Sequence, residues 1–369
     1  MNTARTFLHA LKALAVPLVL CLLFLVLRHI GFGRILEAAG RMEWTAVGSA
    51  AALFMAMFLL WCLRWQQLMP RSDRRSVAAL LPIYMAGVFG NVVTPGARVG
   101  GEPIRAYYMS RAFGGEKTAH LGTILADKIS NGAVFLLFLM ATVNFVVLFV
   151  GIGLYSKLAM EVGVLLVVAA AVTLVILRRQ VVKGAVLALR RLLPLLYRSR
   201  PMGILRLRFA TCAEFEEYLT RKVRNISAPI ARMAGSTTAL LTAFLLSAVA
   251  WLLFCLAHYM LFRGLGADTG YLRVVAIVTI STFIGDISVS PGGAGVMETA
   301  MIALCAAFGI SPGEAAAVTL ISRVLFYTYG IGLGGLCLVG LSLRYGRAVE
   351  EAGEDAEPKP PAPDPAGAA

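Results

Sequence analysis

The chain has 369 residues, 59% of them hydrophobic and only 15% charged, and its mean hydropathy is +0.79. A soluble domain of this length has no use for so much apolar surface, so the composition excludes an ordinary globular enzyme and points to a polytopic membrane protein. The net charge of +14 is no sign of nucleic acid, because it gathers on loops, as membrane proteins gather Lys and Arg on the cytoplasmic side, and no nucleic-acid motif accompanies it.

In chain order, a first span is expected at about 12–29. Arg5 and Lys12 flank its apolar run Ala13–Leu27, but Arg28-His29-Ile30 follows instead of a small-residue cleavage site, so it reads as an uncleaved helix. A second span covers 44–68 and ends in the basic turn Arg71–Arg75. The uncharged segment Ser76–Ala97 then runs into Thr94-Pro95-Gly96, which predicts a helix that enters the membrane and breaks. A half-helix carries Glu102 and Arg105 back toward Arg111, and full spans follow at 119–150 and 158–177.

The stretch 178–232 holds thirteen Lys or Arg against Glu214, Glu216 and Glu217. Val182, Val186, Leu189, Leu193 and Leu196 recur within it at helical spacing, which predicts helices lying on the cytoplasmic surface among anionic headgroups. The sequon Asn225-Ile226-Ser227 would face the cytoplasm and is discounted. The second half repeats the plan: a span at 234–262, a segment at 272–290 that meets Pro291-Gly292-Gly293, a half-helix at 295–309 and a last span at 313–343. The tail 346–369, acidic and then rich in Pro and Ala, lacks the apolar residues to fold.

The predicted fold is therefore an all-α polytopic membrane domain over 1–345, with about six full spans and two broken re-entrant hairpins. Its halves are 12–177 and 234–343. With the basic stretch 178–232 inside, both termini fall in the cytoplasm and the hairpins enter from opposite faces, which makes the repeats inverted.

The two breaks are nearly the same sentence written twice. The first reads Asn91, Pro95, Gly96, Arg98, Gly100, Glu102; the second reads Asp286, Pro291, Gly292, Gly293, Gly295, Glu298, with a Glu seven residues after each Pro. Paired interruptions in two halves are the best pointer to a transporter's binding site. Glu102, Arg105, Asp286, Glu298 and Arg323 all fall within embedded sequence, at about 2.5–3.5 kcal/mol each near mid-bilayer, so they are expected to be paired or used. Read as structure alone, Glu102–Arg105 and Glu298–Arg323 would be buried ion pairs that fix helix packing. Read as function, half-helix N-termini at Gly96–Gly100 and Gly292–Gly295, with Arg98, Arg105 and Arg323, would hold a phosphate. Asp127-Lys128 reads equally well as a headgroup-level pair or as part of that site.

Other signals carry less. The six Cys form no C-x-x-C, the four His have no ligand spacing, and neither a metal nor a cofactor is expected. Gly330-Ile331-Gly332-Leu333-Gly334-Gly335 matches a dinucleotide fingerprint but lies inside an apolar span, where close helix packing is the better reading.

At the two break motifs the chain resembles the lysylphosphatidylglycerol synthase transmembrane-region family, also called the flippase-like domain family. The resemblance rests on Asn91, Pro95, Gly96, Arg98, Gly100, Glu102, Arg105 and Tyr107, and on Pro291 to Glu298 with Arg323 beyond. It covers about 10–345. It implies a likeness to the flippase half of the multiple peptide resistance factor, and so a lipid flippase or scramblase of the bacterial inner membrane, with Asn91, Arg98, Glu102, Arg105, Asp286, Glu298 and Arg323 facing a lipid with an anionic phosphate headgroup. No synthase domain accompanies the chain, so it is expected to move lipid and not to aminoacylate it; a separate lipid-synthesising partner and a homo-oligomer stay open. The alternatives are a membrane transferase acting on a polyprenyl-phosphate lipid, with Glu102 or Asp286 as base, and a lipid-binding accessory subunit.

Overall fold

The computed structural model describes Glu37 and residues 40–94, 100–150, 212–287, 293 and 295–354. The expected spans at 12–29 and 158–177, the stretch 178–211, the residues Pro95, Gly96, Arg98, Pro291 and Gly292, and the tail beyond Glu354 lie outside the described residues.

Every described element is helical. The first long helix, α1 (Trp44–Leu68), is followed by a short 3-10 turn at Arg71–Asp73 and by α2 (Val77–Val93), α3 (Gly101–Phe113) and α4 (Lys117–Val150). Then come α5 (Cys212–Gly235), α6 (Thr237–Gly264), α7 (Tyr271–Ile287), α8 (Val296–Ala307) and α9 (Pro312–Tyr327). A π-helical turn, Thr328–Leu333, joins α9 to α10 (Gly334–Glu354), which carries the last helix past the end expected at 343. Among the described residues, α1, α4, α6 and the α9–α10 run are long and apolar enough to cross a bilayer. The shorter pairs α2–α3 and α7–α8 are the two hairpins.

Local sequence sets the starts of these helices. Ser76, Ser236 and Ser311 each accept a hydrogen bond from the backbone N–H three residues on, which caps α2, α6 and α9, and Pro312 opens α9 where its missing N–H costs nothing.

The core of the domain is the antiparallel pair α1 and α6. Glu43 N–H donates to Gly264 O at 3.1 Å at one end, the Phe54 ring meets the Phe254 ring at 5.5 Å in the middle, and Arg64 reaches Ser247 at 3.0 Å toward the other end. Since α1 and α6 each lead into one hairpin and run in opposite senses, the two hairpins enter from opposite ends. The α2–α3 hairpin opens at the Arg75 end, where the Arg75 guanidinium lies 5.3 Å from the Phe113 ring. The α7–α8 hairpin opens at the Glu43 end, where the Tyr271 and Tyr259 rings are 5.6 Å apart. The helix α5 lies against α4 at the Arg75 end: Gly122 faces the Ile226 and Asn225 carbonyls, and Glu116 accepts from Lys222 Nζ and Asn225 Nδ2, both at 2.8 Å.

The π-helical turn is the glycine-rich segment that mimics a dinucleotide motif. A Cβ at Gly330 would meet Val92 at 3.2 Å, and one at Gly334 would meet the Met85 carbonyl at 2.6 Å. The glycines let α2 pack directly on this backbone, and π turns recur beside functional sites.

Candidate functional site

Glycine shapes the described residues on either side of both hairpin turns. At the first, α2 ends with the Thr94 N–H donating to Gly90 O at 3.1 Å, and Asn91 Oδ1 accepts the Gly101 N–H at 2.8 Å, which caps the start of α3. A Cβ at Gly101 would run into the Gly87 carbonyl and the Asn91 side chain, so the two strokes of the hairpin close only around glycine. At the second, Gly293 and Gly295 have φ of 72° and 85°, the left-handed region that other residues avoid. Asn91, expected from the sequence to face the headgroup, caps α3 within the hairpin.

Each half-helix N-terminus already faces its own carboxylate, because Glu102 and Glu298 stand in the first turns of α3 and α8. A positive helix end stabilises a nearby carboxylate. The arginines therefore decide what else can bind there.

The sequence reading pairs Glu102 with Arg105. The structure separates them, and both turn to α4. Arg105 meets Asp127 at 3.2 Å, and Glu102 accepts from Lys128 Nζ at 2.7 Å. The side chains at i and i+3 share a face of α3, but two opposite charges directly across on α4 give each a partner with less bending of the chain. Asp127 is the centre of the cluster. It is 2% exposed and also accepts from Arg64 Nε at 2.7 Å, so the headgroup-level reading of Asp127 gives way to a buried bridge between two arginines. Arg64 NH1 goes on to Asn131 at 2.5 Å and Ser247 at 3.0 Å. The Arg105 guanidinium lies 4.0 Å from the Trp65 ring centre and 4.5 Å from that of Tyr84, a stacked position suited to its flat charge. Three cations thus face two carboxylates, and Lys128, with its side chain 44% exposed, stands at the open edge. The second oxygen of Glu102 is buried with no hydrogen-bond partner among the described residues.

The second cluster is simpler. Arg323 Nε lies 2.7 Å from Glu298 Oε1, the pairing the sequence suggests, and its NH2 is 3.5 Å from Gly293 O. His258 donates through Nδ1 to Phe254 O at 2.9 Å and shares with Arg323, Thr282 and Ser322 a cavity of about 30 Å³. Asp286 stands in the last turn of α7, next to Gly285, which packs against Gly293 of this hairpin.

The predicted charges do not converge on one point. Along α6, Ser247 at the first cluster and His258 at the second are eleven residues apart, or about 16 Å. Each cluster lies about 15 Å inward from its own end of the bundle, counted along α4 to Asp127 and along α9 to Arg323. Among the described residues there are two buried charged stations, one per hairpin. Arg64, Lys128, His258 and Thr282 are members that the sequence reading passes over. One signal could have found the α4 pair: Asp127 follows Glu102 by the same 25 residues that separate Arg323 from Glu298. Arg64 and His258 have no such marker, since each is a single polar residue in an apolar span.

The chain is similar over nearly its whole length to proteins known by the same description. It is 24% identical over 331 residues to a UPF0104 membrane protein of Pyrococcus horikoshii, covering 89% of this chain and 96% of that one. It is 25% identical over 306 residues to a UPF0104 membrane protein of Methanothermobacter thermautotrophicus, covering 81% and 86%. A third, from Methanocaldococcus jannaschii, is 23% identical over 258 residues, covering 70% and 73%. The family model described as the lysylphosphatidylglycerol synthase TM region matches residues 11–334. With that match spanning both hairpins and both charged stations, the chain belongs to the lysylphosphatidylglycerol synthase transmembrane-region family of membrane proteins.

Proposed function

We propose that this protein is a flippase or scramblase that moves a phosphate-headgroup lipid across the cytoplasmic membrane. The observation that carries the reading is the pair of opposed hairpins, each turning beside a buried charged cluster at similar depth from its own end. Buried charges in a membrane domain are costly and mark pathways. Two stations reached from opposite ends suit a headgroup that is taken up at one and released from the other, while its tails stay in the bilayer.

The first station suits the phosphate better. Arg64, Arg105 and Lys128 outnumber Asp127 and Glu102 by one charge, and Lys128 sits where an anion would arrive. Arginine forks match phosphate oxygens. At the second station a single arginine, Arg323, stands against Glu298, with Asp286 near the same turn, so no positive charge is in excess. In this reading the chain modifies no lipid; it only carries one.

The test is lipid movement in proteoliposomes containing acyl-labelled fluorescent phosphatidylglycerol, with an impermeant reductant added outside. Working protein exposes inner-leaflet lipid to bleaching, and Glu102→Ala or Arg323→Ala returns the signal to the outer leaflet alone. Bleaching that matches empty vesicles would end the proposal, and a product formed from a sugar donor and a polyprenyl phosphate would favour a transferase.

A further inference from the structure

The cavity beside Arg323 is left over from this account, and its chemistry is specific. It lies between α1, α6, α7, α8 and α9, and its walls are the aromatic rings of Phe54, Trp61, Trp251, Phe254 and Phe326. Two hydrogen-bonding atoms on residues of its wall, Trp61 Nε1 and Thr282 Oγ1, are buried with no partner among the described residues. Beside it, Glu298 holds Arg323 with one oxygen while the other, Oε2, is likewise buried without a hydrogen-bond partner. An unsatisfied buried polar atom costs about 1–3 kcal/mol, so two on residues of one cavity wall are a standing cost unless something occupies it.

What occupies it must accept a hydrogen bond from the indole N–H and exchange one with a hydroxyl. A phosphate only accepts at neutral pH, and the Arg323–Glu298 pair leaves no surplus positive charge to hold it. An ammonium only donates and would leave the indole N–H unsatisfied. A hydroxyl does both and brings no charge. The volume agrees: about 30 Å³ takes one or two hydroxyl-sized groups, at roughly 10–15 Å³ each, but no whole sugar ring and no phosphate. The aromatic walls suit the C–H faces of the carbons that carry such hydroxyls.

We propose that this cavity is a polyol subsite, which takes the hydroxyls of a headgroup, with the Trp61 indole N–H as donor and the Thr282 hydroxyl as donor or acceptor. The proposal rests on the reading of the protein as a lipid carrier and narrows its cargo to lipids whose headgroups bear hydroxyl groups; the same chemistry would also admit a free polyol.

The experiment compares phosphatidylglycerol with phosphatidylpropanol of identical tails, which has the same phosphodiester charge but no hydroxyls. Both are offered together to the purified full chain, and bound lipid is counted by native mass spectrometry. The expected result is a preference of about tenfold for phosphatidylglycerol, in line with one or two net hydrogen bonds to partly charged partners. In Thr282→Val and in Trp61→Phe, each checked for a single symmetric gel-filtration peak, the preference falls toward one. Free glycerol that abolishes the preference shows that the polyol is recognised apart from the lipid, and lack of competition shows that the lipid is needed; either is consistent with the subsite. Equal binding of the two lipids by the unaltered protein, or a preference kept in both variants, overturns it. Loss of lipid movement with the preference intact would instead remove the carrier reading and leave the subsite standing.

Discussion

Asp127 and Arg323 are counterparts of opposite charge. Each follows its hairpin glutamate by 25 residues, each lies about 15 Å inside its end of the bundle, and each is at least 95% buried. In the first half the carboxylate ties two arginines together; in the second an arginine holds the glutamate itself. The halves share a backbone plan but not a charge plan, so the two stations differ in what they could bind.

Asp127 is the residue whose loss the fold should feel most. Removing its charge leaves Arg64 and Arg105 facing each other in a buried site, and breaking a buried pair in this way costs about 3–5 kcal/mol. Asp127→Asn is therefore expected to lower the thermal unfolding midpoint sharply in detergent. Asp127→Asn combined with Arg64→Gln should recover part of that loss, because one of the two stranded charges is gone. A double variant no more stable than the single one would mean that Asp127 serves the fold by something other than charge.

Arg105 is held by stacking as well as by charge. Lysine at this position keeps the charge but loses the flat guanidinium between Trp65 and Tyr84, a contact worth about 1–2 kcal/mol when desolvated. Arg105→Lys is expected to fold, to lose that much stability and to move lipid poorly. Gly87→Ala tests the same group from behind, because its Cβ would stand 2.5 Å from Arg105 Cγ and 2.6 Å from Cδ and push the stem out of place. Both variants should impair movement in the vesicle assay; normal movement in both would separate the stack from function.

These two predictions also show where reading the sequence stopped. The helices α1, α2 and α7 begin within a residue of the expected positions, because apolar runs bounded by Ser, Pro, Gly and charge leave little choice of start. The hairpins were legible from the doubled Pro-Gly pattern, and the Glu298–Arg323 pair from the cost of burying charge. The cross-pairing of Glu102 with Lys128 and Arg105 with Asp127 was not, because it depends on how α3 lies against α4, and spacing along one helix says nothing about register with another. Arg64 and His258 were hidden for a related reason: a lone polar residue in an apolar span is an ordinary occurrence until the facing helix shows what it touches.

The helix α5 should be attached to the membrane domain in a pH-dependent way. Lys222, donating to Glu116, is the main cause that holds this carboxyl below its usual range, with Thr118 adding to it. A carboxylate whose folded value is depressed contributes stability above its unfolded value near 4.5, and that contribution is lost as the pH falls through the folded value. Attachment is therefore expected to be unchanged from pH 8 to 5 and to loosen in more acid solution. Glu116→Gln should show the loosened state at every pH. Hydrogen exchange of residues 215–235, corrected for the intrinsic rate, reads this directly. Exchange in Glu116→Gln equal to that of the unaltered chain at pH 7 would show that Gly122 packing, and not the carboxylate, holds α5.

The opposed hairpins make a prediction about sidedness. Among the described residues, the Arg75 end sets Arg71, Arg74, Arg75, Arg111, Lys117, Arg221, Lys222, Arg224, Arg232 and Arg344 against Asp73, Glu116, Glu214, Glu216 and Glu217, whereas the Glu43 end sets Arg41, Arg263 and Arg273 against Glu37, Glu43, Asp268 and Glu314. The positive-inside rule then puts the Arg75 end in the cytoplasm. Ser72 and Gly313 mark the two ends; both are exposed, and a Cβ at Gly313 would meet nothing within 4 Å. In a background with the native cysteines replaced by serine, Ser72→Cys should react with an impermeant maleimide only in inside-out vesicles, and Gly313→Cys only in intact cells. Labelling of both from one side would mean that the hairpins enter from the same face. The two stations could not then serve as entry and exit, and movement between leaflets would need a different path through the domain.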